Sequence, residues 1–262
     1  MIKRAIICII LIGSLISGFT VHSCAVGTDN QSTKNKRIAL TFDDGPHPRQ
    51  TKQILDMLDK YGIKATFFVI GVNVKNYPGI IFEVLERGHE IGNHTTTHSH
   101  AARLDLNALQ AEIADCEREV LLQTGKRCKL FRPPEGAMTD TMRKVVKELG
   151  YTSVFWTLDT RDWAHTPPDQ ISDYIIQNAK NGDIILMHDY IGANSPTVKA
   201  LESFIPILLD QGFTFVTVSE LLQSSQSKSD RIWGDTPSGV SPQFYSPSAS
   251  CIATQWYSAI AE

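Results

Sequence analysis

The chain has 262 residues, of which 42% are hydrophobic and 20% are charged. Its 25 basic and 28 acidic side chains give a formal net charge of −3 at pH 7. These values are typical of a globular protein and exclude disordered, collagen-like and coiled-coil chains. The slightly acidic balance offers no electrostatic basis for binding nucleic acid, so we expect no polyanionic partner.

The N-terminal region predicts export. An apolar run covers residues 5–21, after Lys3 and Arg4 and before small and polar residues, which is the order of a secretory signal. Residues 1–23 are therefore predicted to be a signal peptide or a lipoprotein signal, with lipid on Cys24 in the second case. An uncleaved membrane anchor is a further alternative. We expect a secreted or cell-surface protein, with no other membrane attachment.

The rest of the chain divides into three parts by composition. The polar residues 24–36 are predicted to be a linker, and residues 37–222 to form one folded domain. Residues 223–262 are rich in serine and have no helical or strand period, so we predict a low-complexity, disordered tail.

The cysteines do not predict a metal site, because no two of them form a CxxC pair. Cys116 and Cys128 lie inside the predicted domain. They form either a disulfide or two buried free thiols, and their spacing does not decide between these alternatives.

Within the domain, short apolar or β-branched runs alternate with segments of helical spacing. Several of these segments end at a glycine, such as Gly62, Gly125 or Gly212, which suits a helix cap. The alternation predicts a parallel α/β sheet, and the number of runs favours a distorted (β/α) barrel of about seven units over an open doubly wound sheet. Both architectures bind ligands at the carboxyl ends of their strands. The seven predicted strands lie at residues 38–42, 65–70, 90–91, 129–131, 152–158, 184–187 and 213–218.

Ionisable residues follow these strands. Asp43 and Asp44 come directly after the first strand, and the period-two alternation of a strand predicts that their side chains point in opposite directions. His94 and His98 follow the third strand, four residues apart, so we expect them on one face of a helical turn. Together with Asp44 they would make a His₂-carboxylate set with open positions, which is typical of a catalytic divalent metal.

Five segments in this order resemble the motifs of one known family, the NodB-type polysaccharide deacetylases of carbohydrate esterase family four. The resemblance covers about residues 36–222 and implies the family's distorted (β/α) barrel. The matching segments are TFDDGP at 41–46, HTTTH at 94–98, RPPEG at 132–136, DTRDW at 159–163 and ILMH at 185–188.

The resemblance also implies a role for individual residues. Asp43 would be the general base and His188 the general acid, oriented by Arg132 and Asp162 respectively. The metal ligands would be Asp44, His94 and His98, and the substrate groove would include Pro134, Glu135, Trp163 and Leu186.

One residue departs from the family pattern. Glu135 stands where the family often has an aromatic side chain. Either another aromatic residue forms the wall on which a sugar stacks, or the substrate offers a hydrogen-bonding or cationic group near Glu135.

The implied activity is metal-dependent hydrolysis of a carbon–nitrogen bond that is not a peptide bond. The chain resembles a polysaccharide N-deacetylase, and predicted export favours bacterial peptidoglycan as the substrate. Chitin-like oligomers are the second choice, and an O-acetyl esterase acting on xylan is a distinct alternative. A non-catalytic carbohydrate-binding relative is disfavoured because every implied catalytic residue is present. Zn²⁺ suits the ligand set, and Co²⁺ or Ni²⁺ would accept the same ligands.

Overall fold

The computed structural model describes residues 36–192 and 194–229. The predicted signal at 1–23, the linker up to residue 35 and the part of the predicted tail at 230–262 lie outside these residues. Within the described ranges, no helix has the length and apolar character needed to cross a membrane.

The described residues form eight strands and eight α-helices, which alternate except that α2 and α3 follow each other, as do β5 and β6. The strands are Lys36–Gly45 (β1), Thr66–Val69 (β2), Glu90–Asn93 (β3), Leu130–Phe131 (β4), Thr152–Ser153 (β5), Leu158–Asp159 (β6), Ile184–His188 (β7) and Phe213–Val216 (β8). The helices are Gln50–Lys60 (α1), Gly71–Asn76 (α2), Pro78–Glu86 (α3), Leu106–Thr124 (α4), Asp140–Glu148 (α5), Pro168–Asn178 (α6), Thr197–Asp210 (α7) and Val218–Ser229 (α8).

All strand pairs are parallel, in the order β5-β4-β3-β2-β1-β7-β6, with β8 pairing to the start of β1. The long strand β1 is therefore central and touches β2, β7 and β8. This curled parallel sheet with its helices confirms the predicted distorted (β/α) barrel. Strands β5 and β6 form its two edges and are not paired with each other.

The prediction of a single strand at residues 152–158 is wrong. The structure divides it into β5, which pairs with β4, and β6, which pairs with β7 at the opposite edge. Residues 154–157 cross from one edge to the other. Because these residues are as apolar and β-branched as a buried strand, their composition carried no sign of the break.

The predicted helices are all present, and their ends follow local rules. Helix α4 begins after Asp105, whose side chain accepts a hydrogen bond from Ala108 N (2.9 Å), and it ends at Gly125 with φ 67°. Helix α2 was not predicted, since six residues are too few to show a helical period. Helix α8 continues to Ser229, beyond the domain boundary predicted at residue 222.

The core lies between the sheet and the helices that surround it. Strand β1 contributes Ile38, Leu40 and Phe42, and each of these side chains is fully buried. Cys116 and Cys128 are also buried, and both are free thiols, so the disulfide alternative does not hold. Burial raises the pKa of both thiols well above its usual value, which keeps them protonated.

The junction of β1 with β7 is tightly packed at the carboxyl end of the sheet. Asp43 pairs in register with His188, and Asp189 N donates to Asp43 O (2.8 Å). The Asp189 carboxyl is fully buried and accepts from Thr51 Oγ1 at 2.8 and 2.7 Å. Burial raises the pKa of Asp189 to about 7. A Cβ atom on Gly45 would lie 2.1 Å from Asp189 Oδ2, so only glycine fits there.

We predict that Gly45→Ala lowers the free energy of unfolding by about 1–3 kcal/mol, because the added methyl overlaps a carboxyl that Thr51 holds in place. Urea denaturation measures the change. Gly79→Ala in α3 is the matched control, since its Cβ meets nothing within 4 Å. Equal stability of the two variants would contradict the close packing of Gly45 on Asp189.

Candidate active site

The carboxyl ends of five strands meet at one site, as the parallel sheet predicted. The site contains all the predicted catalytic and metal-binding residues, and a chain of direct contacts connects most of them. These residues are Asp43 and Asp44 from β1, His94 and His98 after β3, Arg132 after β4, Asp162 after β6, and His188 at the end of β7.

The two adjacent aspartates do not point in opposite directions. The register of β1 with β2 shifts between Asp43 and Gly45, and Asp44 adopts a left-handed φ of 73°. His94 Nε2 consequently lies 3.6 Å from Asp43 Oδ2 and 3.5 Å from Asp44 Oδ1. The expectation from strand alternation was wrong because the bulge turns the second carboxylate back toward the first.

His94 and His98 converge without a helical turn, which corrects the second expectation. Residues 94–98 form an irregular loop in which Thr95 and His98 have φ values of 70° and 55°. The two imidazole centroids lie 5.0 Å apart, and His98 Nε2 is 3.5 Å from Asp44 Oδ1. The spacing of the histidines thus identified two side chains that do converge, but it predicted a helical turn where the structure has an irregular loop.

Asp44, His94 and His98 fit a divalent cation. Their ligand atoms all lie within 4.8 Å of one another, and Asp44 Oδ1 is buried without a hydrogen-bond partner. His94 Nδ1 donates to Arg132 O (2.7 Å), which leaves the lone pair of Nε2 facing the other two ligands. Burial lowers the pKa of His94, so this imidazole is neutral and able to bind a metal. Three protein ligands leave positions open, as in catalytic rather than structural sites.

Arg132 holds Asp43. The guanidinium is fully buried and donates to Asp43 Oδ1 (2.7 Å) and Thr41 Oγ1 (2.9 Å) from the same nitrogen. It also donates to the carbonyls of Val154 and Phe155 in the segment that crosses between the two sheet edges. This arrangement orients Asp43 and leaves its Oδ2 available to a reactant.

The half-buried His188 pairs with the buried Asp162. His188 Nδ1 lies 2.8 Å from Asp162 Oδ1, and His188 N donates to Asp162 Oδ2 (2.7 Å). Burial acts to lower the pKa of His188, but the hydrogen bond to Asp162 and the charges of Asp162, Asp43 and Asp44 outweigh it and raise the pKa to about 9. At neutral pH the imidazole is therefore cationic, with Nε2 free to donate a proton.

The predicted groove residues surround these groups at different depths. Leu186 is buried on the same face of β7 as His188, and Pro134 is buried after β4. Trp163 is 49% exposed, and its backbone N donates to Asp162 Oδ1 (2.9 Å). The Glu135 carboxylate is exposed and lies 2.9 Å from His100 Nδ1.

Sequence reasoning missed two supporting residues. Thr197 Oγ1 donates to Asp162 Oδ2 (2.9 Å), and Thr41 Oγ1 accepts from Arg132 (2.9 Å). Thr41 lies two residues before Asp43, so its proximity to the site was a usable signal. Thr197 begins α7 and carried no such signal.

The sequence matches the model of a known family and also individual proteins. The profile of the polysaccharide deacetylase family matches residues 30–154, a range that includes Asp43, His98 and Arg132 but not Asp162 or His188. A peptidoglycan-N-acetylglucosamine deacetylase from Bacillus cereus is 45% identical over 190 residues, which is 72% of this chain and 89% of that protein.

Structure comparison finds the same fold in enzymes of two kinds. The peptidoglycan deacetylase PdaC from Bacillus subtilis is 37% identical with a TM-score of 0.70, covering 76% of this chain and 96% of that one. A family 4 acetyl xylan esterase from Clostridium thermocellum, in complex with a cobalt ion, is 37% identical with a TM-score of 0.69, covering 73% of this chain and 92% of that one.

We predict that Asp162→Asn lowers the pKa of His188 below about 9, because burial then acts on an imidazole that has lost its charged partner. NMR titration of the metal-free chain measures this pKa. Asp159→Asn is the matched control, since Asp159 bonds Arg161 N (2.8 Å) rather than His188. A pKa still near 9 in Asp162→Asn would contradict the assigned partner.

Proposed function

The chain belongs to the polysaccharide deacetylase family, and from that premise we propose that it is a metal-dependent N-deacetylase of bacterial peptidoglycan. One observation carries the proposal. A carboxylate suited to act as a base, a cationic histidine and three metal-type ligands meet at the carboxyl end of one sheet. We further propose that the enzyme acts outside the cytoplasm, on the basis of the apolar run at residues 5–21 after Lys3 and Arg4.

The reaction begins with attack of water on the acetyl carbonyl. Asp44, His94 and His98 would hold a divalent cation, which would supply Lewis-acid chemistry by polarising a carbonyl oxygen and making a water more acidic. Asp43 accepts the proton of the attacking water on Oδ2, while Arg132 holds Oδ1 and fixes the direction of the carboxylate.

The reaction ends with cleavage of the carbon–nitrogen bond. An amine is a poor leaving group unless it is protonated, and His188 Nε2 is the cationic donor in the site. Asp162 holds the opposite ring nitrogen and keeps the imidazole cationic before the transfer. The products are acetate and a free amino sugar, and the proton that Asp43 took balances the proton that His188 gave.

The choice of substrate rests on the relatives. The 45% identical Bacillus cereus protein is named for peptidoglycan N-acetylglucosamine, which favours that sugar in that polymer. The likeness to the acetyl xylan esterase supports ester hydrolysis as a second candidate, since a carbonyl attacked by the same groups can belong to an ester. Chitin-like oligomers offer the same N-acetyl group and are the second choice of substrate for an N-deacetylase.

Zn²⁺ is the proposed native metal because two imidazoles and one carboxylate suit it, and Co²⁺ and Ni²⁺ are alternatives.

We expect acetate release from peptidoglycan by the purified chain, accompanied by new free amines and abolished by a chelator. Chitin oligomers and acetylated xylan are assayed in parallel, and restored activity after Zn²⁺ addition is the control.

The outcomes separate the candidates. Metal-dependent acetate release with free amines from chitin oligomers alone would change the assigned substrate to a chitin-like polymer and leave N-deacetylation as the reaction. Release from xylan without free amines would make the protein an esterase. If the metal-loaded chain releases no acetate from any of the three substrates, the proposal that the protein is an enzyme is contradicted and a carbohydrate-binding protein is supported.

We predict that His188→Ala lowers kcat by about 10²- to 10⁴-fold, because the leaving amine loses its proton donor. Its metal content, measured by elemental analysis, is expected to equal that of the original chain, since His188 is not among the three ligands. Unchanged turnover would contradict the assigned acid, and loss of the metal would show that His188 belongs to the metal site.

A further inference from the structure

The loop that carries the second histidine ligand has no secondary structure of its own to hold it. Residues 94–98 follow β3, and both Thr95 and His98 occupy the left-handed region of backbone conformation, which is costly for residues other than glycine. A histidine in such a loop keeps its position only if the surrounding contacts determine the loop.

Side chains supply most of the partners of this loop's backbone N–H groups. Thr95 N donates to Asn93 Oδ1 (2.9 Å), and His98 N donates to Thr95 Oγ1 (3.2 Å). Between them, Thr96 N and Thr97 N donate to the same carboxylate oxygen, Glu112 Oε2, at 2.9 and 2.8 Å. Glu112 is therefore the acceptor for the two consecutive N–H groups that precede His98.

Glu112 makes further contacts with the same loop. Thr97 Oγ1 donates to Glu112 Oε1 (2.8 Å), and Thr96 Oγ1 donates to the backbone oxygen of Glu112 (2.7 Å). Four hydrogen bonds thus join one residue of α4 to Thr96 and Thr97, two of the three threonines between the histidine ligands. Two of the bonds are from backbone N–H groups to a charged acceptor, which are stronger than bonds between neutral groups.

The opposite side of the loop is bound by α2. Gly71 N donates to Thr95 O and Val72 N donates to Thr96 O, both at 3.0 Å. A Cβ atom on Gly71 would lie 2.9 Å from the Cα of Cys116 in α4, so the two helices approach closely beside the loop. The loop is held between the N-terminus of α2 and the Glu112 side chain.

We propose that Glu112 is a positioning residue for the metal site, which sets the affinity for the cation by fixing the loop that carries His98. The inference rests on the metal dependence in the proposed function. Glu112 is not one of the three ligands, and it acts through the backbone of Thr96 and Thr97. Loss of a partner that orients a metal ligand lowers the metal affinity by about 10- to 100-fold.

The test compares metal affinities of the full chain and its variants by competition with a chromophoric chelator, using Zn²⁺ and Co²⁺. We expect Glu112→Ala to raise the Kd by about 10- to 100-fold. Glu112→Gln is expected to restore most of the affinity, because the amide oxygen can still accept from both N–H groups while the amide nitrogen faces Thr97 Oγ1. Glu119→Ala is the matched control, since this half-buried glutamate of α4 pairs with Arg118 (3.7 Å).

The visible spectrum of the Co²⁺ form gives a readout that a loss of general stability would not move. We expect its d–d bands to change in Glu112→Ala and to match the original chain in Glu119→Ala. Glu112→Asp keeps the charge but shortens the side chain, so it too should bind more weakly, and it serves as the test if Glu112→Ala does not fold.

The inference is overturned if folded Glu112→Ala or Glu112→Asp binds the metal with the affinity of the original chain and has an unchanged Co²⁺ spectrum. An equal loss of affinity in Glu119→Ala would also overturn it, because the effect would then belong to the helix as a whole. If the original chain binds neither metal, the proposed metal-dependent function fails instead, so the two failures are distinguishable.

Discussion

One buried guanidinium connects the fold to the candidate chemistry. Arg132 is fully enclosed, so its charge must be paired and its donors must be satisfied. Asp43 neutralises it, and the carbonyls of Val154 and Phe155 accept two further hydrogen bonds from it at the gap between the two sheet edges. The ring of Phe68 lies 4.1 Å from the guanidinium. The same group thus orients Asp43, the proposed general base, and binds the segment that crosses between the two sheet edges.

The second constraint is the separation of two proton-transfer groups by their surroundings. Asp43 accepts a hydrogen bond from Arg132, whereas the hydrogen bond and charge of Asp162 raise the pKa of His188 to about 9. Parallel pairing of β1 and β7 places Asp43 and His188 side by side in register. The proposed base and the cationic histidine proposed as the acid therefore lie at one site, and neither requires a change in the fold to reach the other's side of it.

Much of this arrangement could be predicted without coordinates. The alternation of apolar runs and helical segments predicted a parallel α/β sheet and favoured a barrel, which the family resemblance also implied. Polar residues after successive strands indicated the carboxyl edge of the sheet as the site. The apolar run at residues 152–158 was misread because edge pairing, which divides it into β5 and β6, depends on β4 and β7 elsewhere in the chain. Local composition contains no information about such distant partners.

The sequence by itself determined the residue types and their order along the strands, because periodicity and strand-end chemistry are local properties. Only the tertiary structure decided how they meet. The bulge at Asp44 brings two adjacent carboxylates to one imidazole, and the loop at 94–98 positions two histidines without a helix. Both conformations have unfavourable backbone angles, and contacts from residues far along the chain, such as Glu112, stabilise the second.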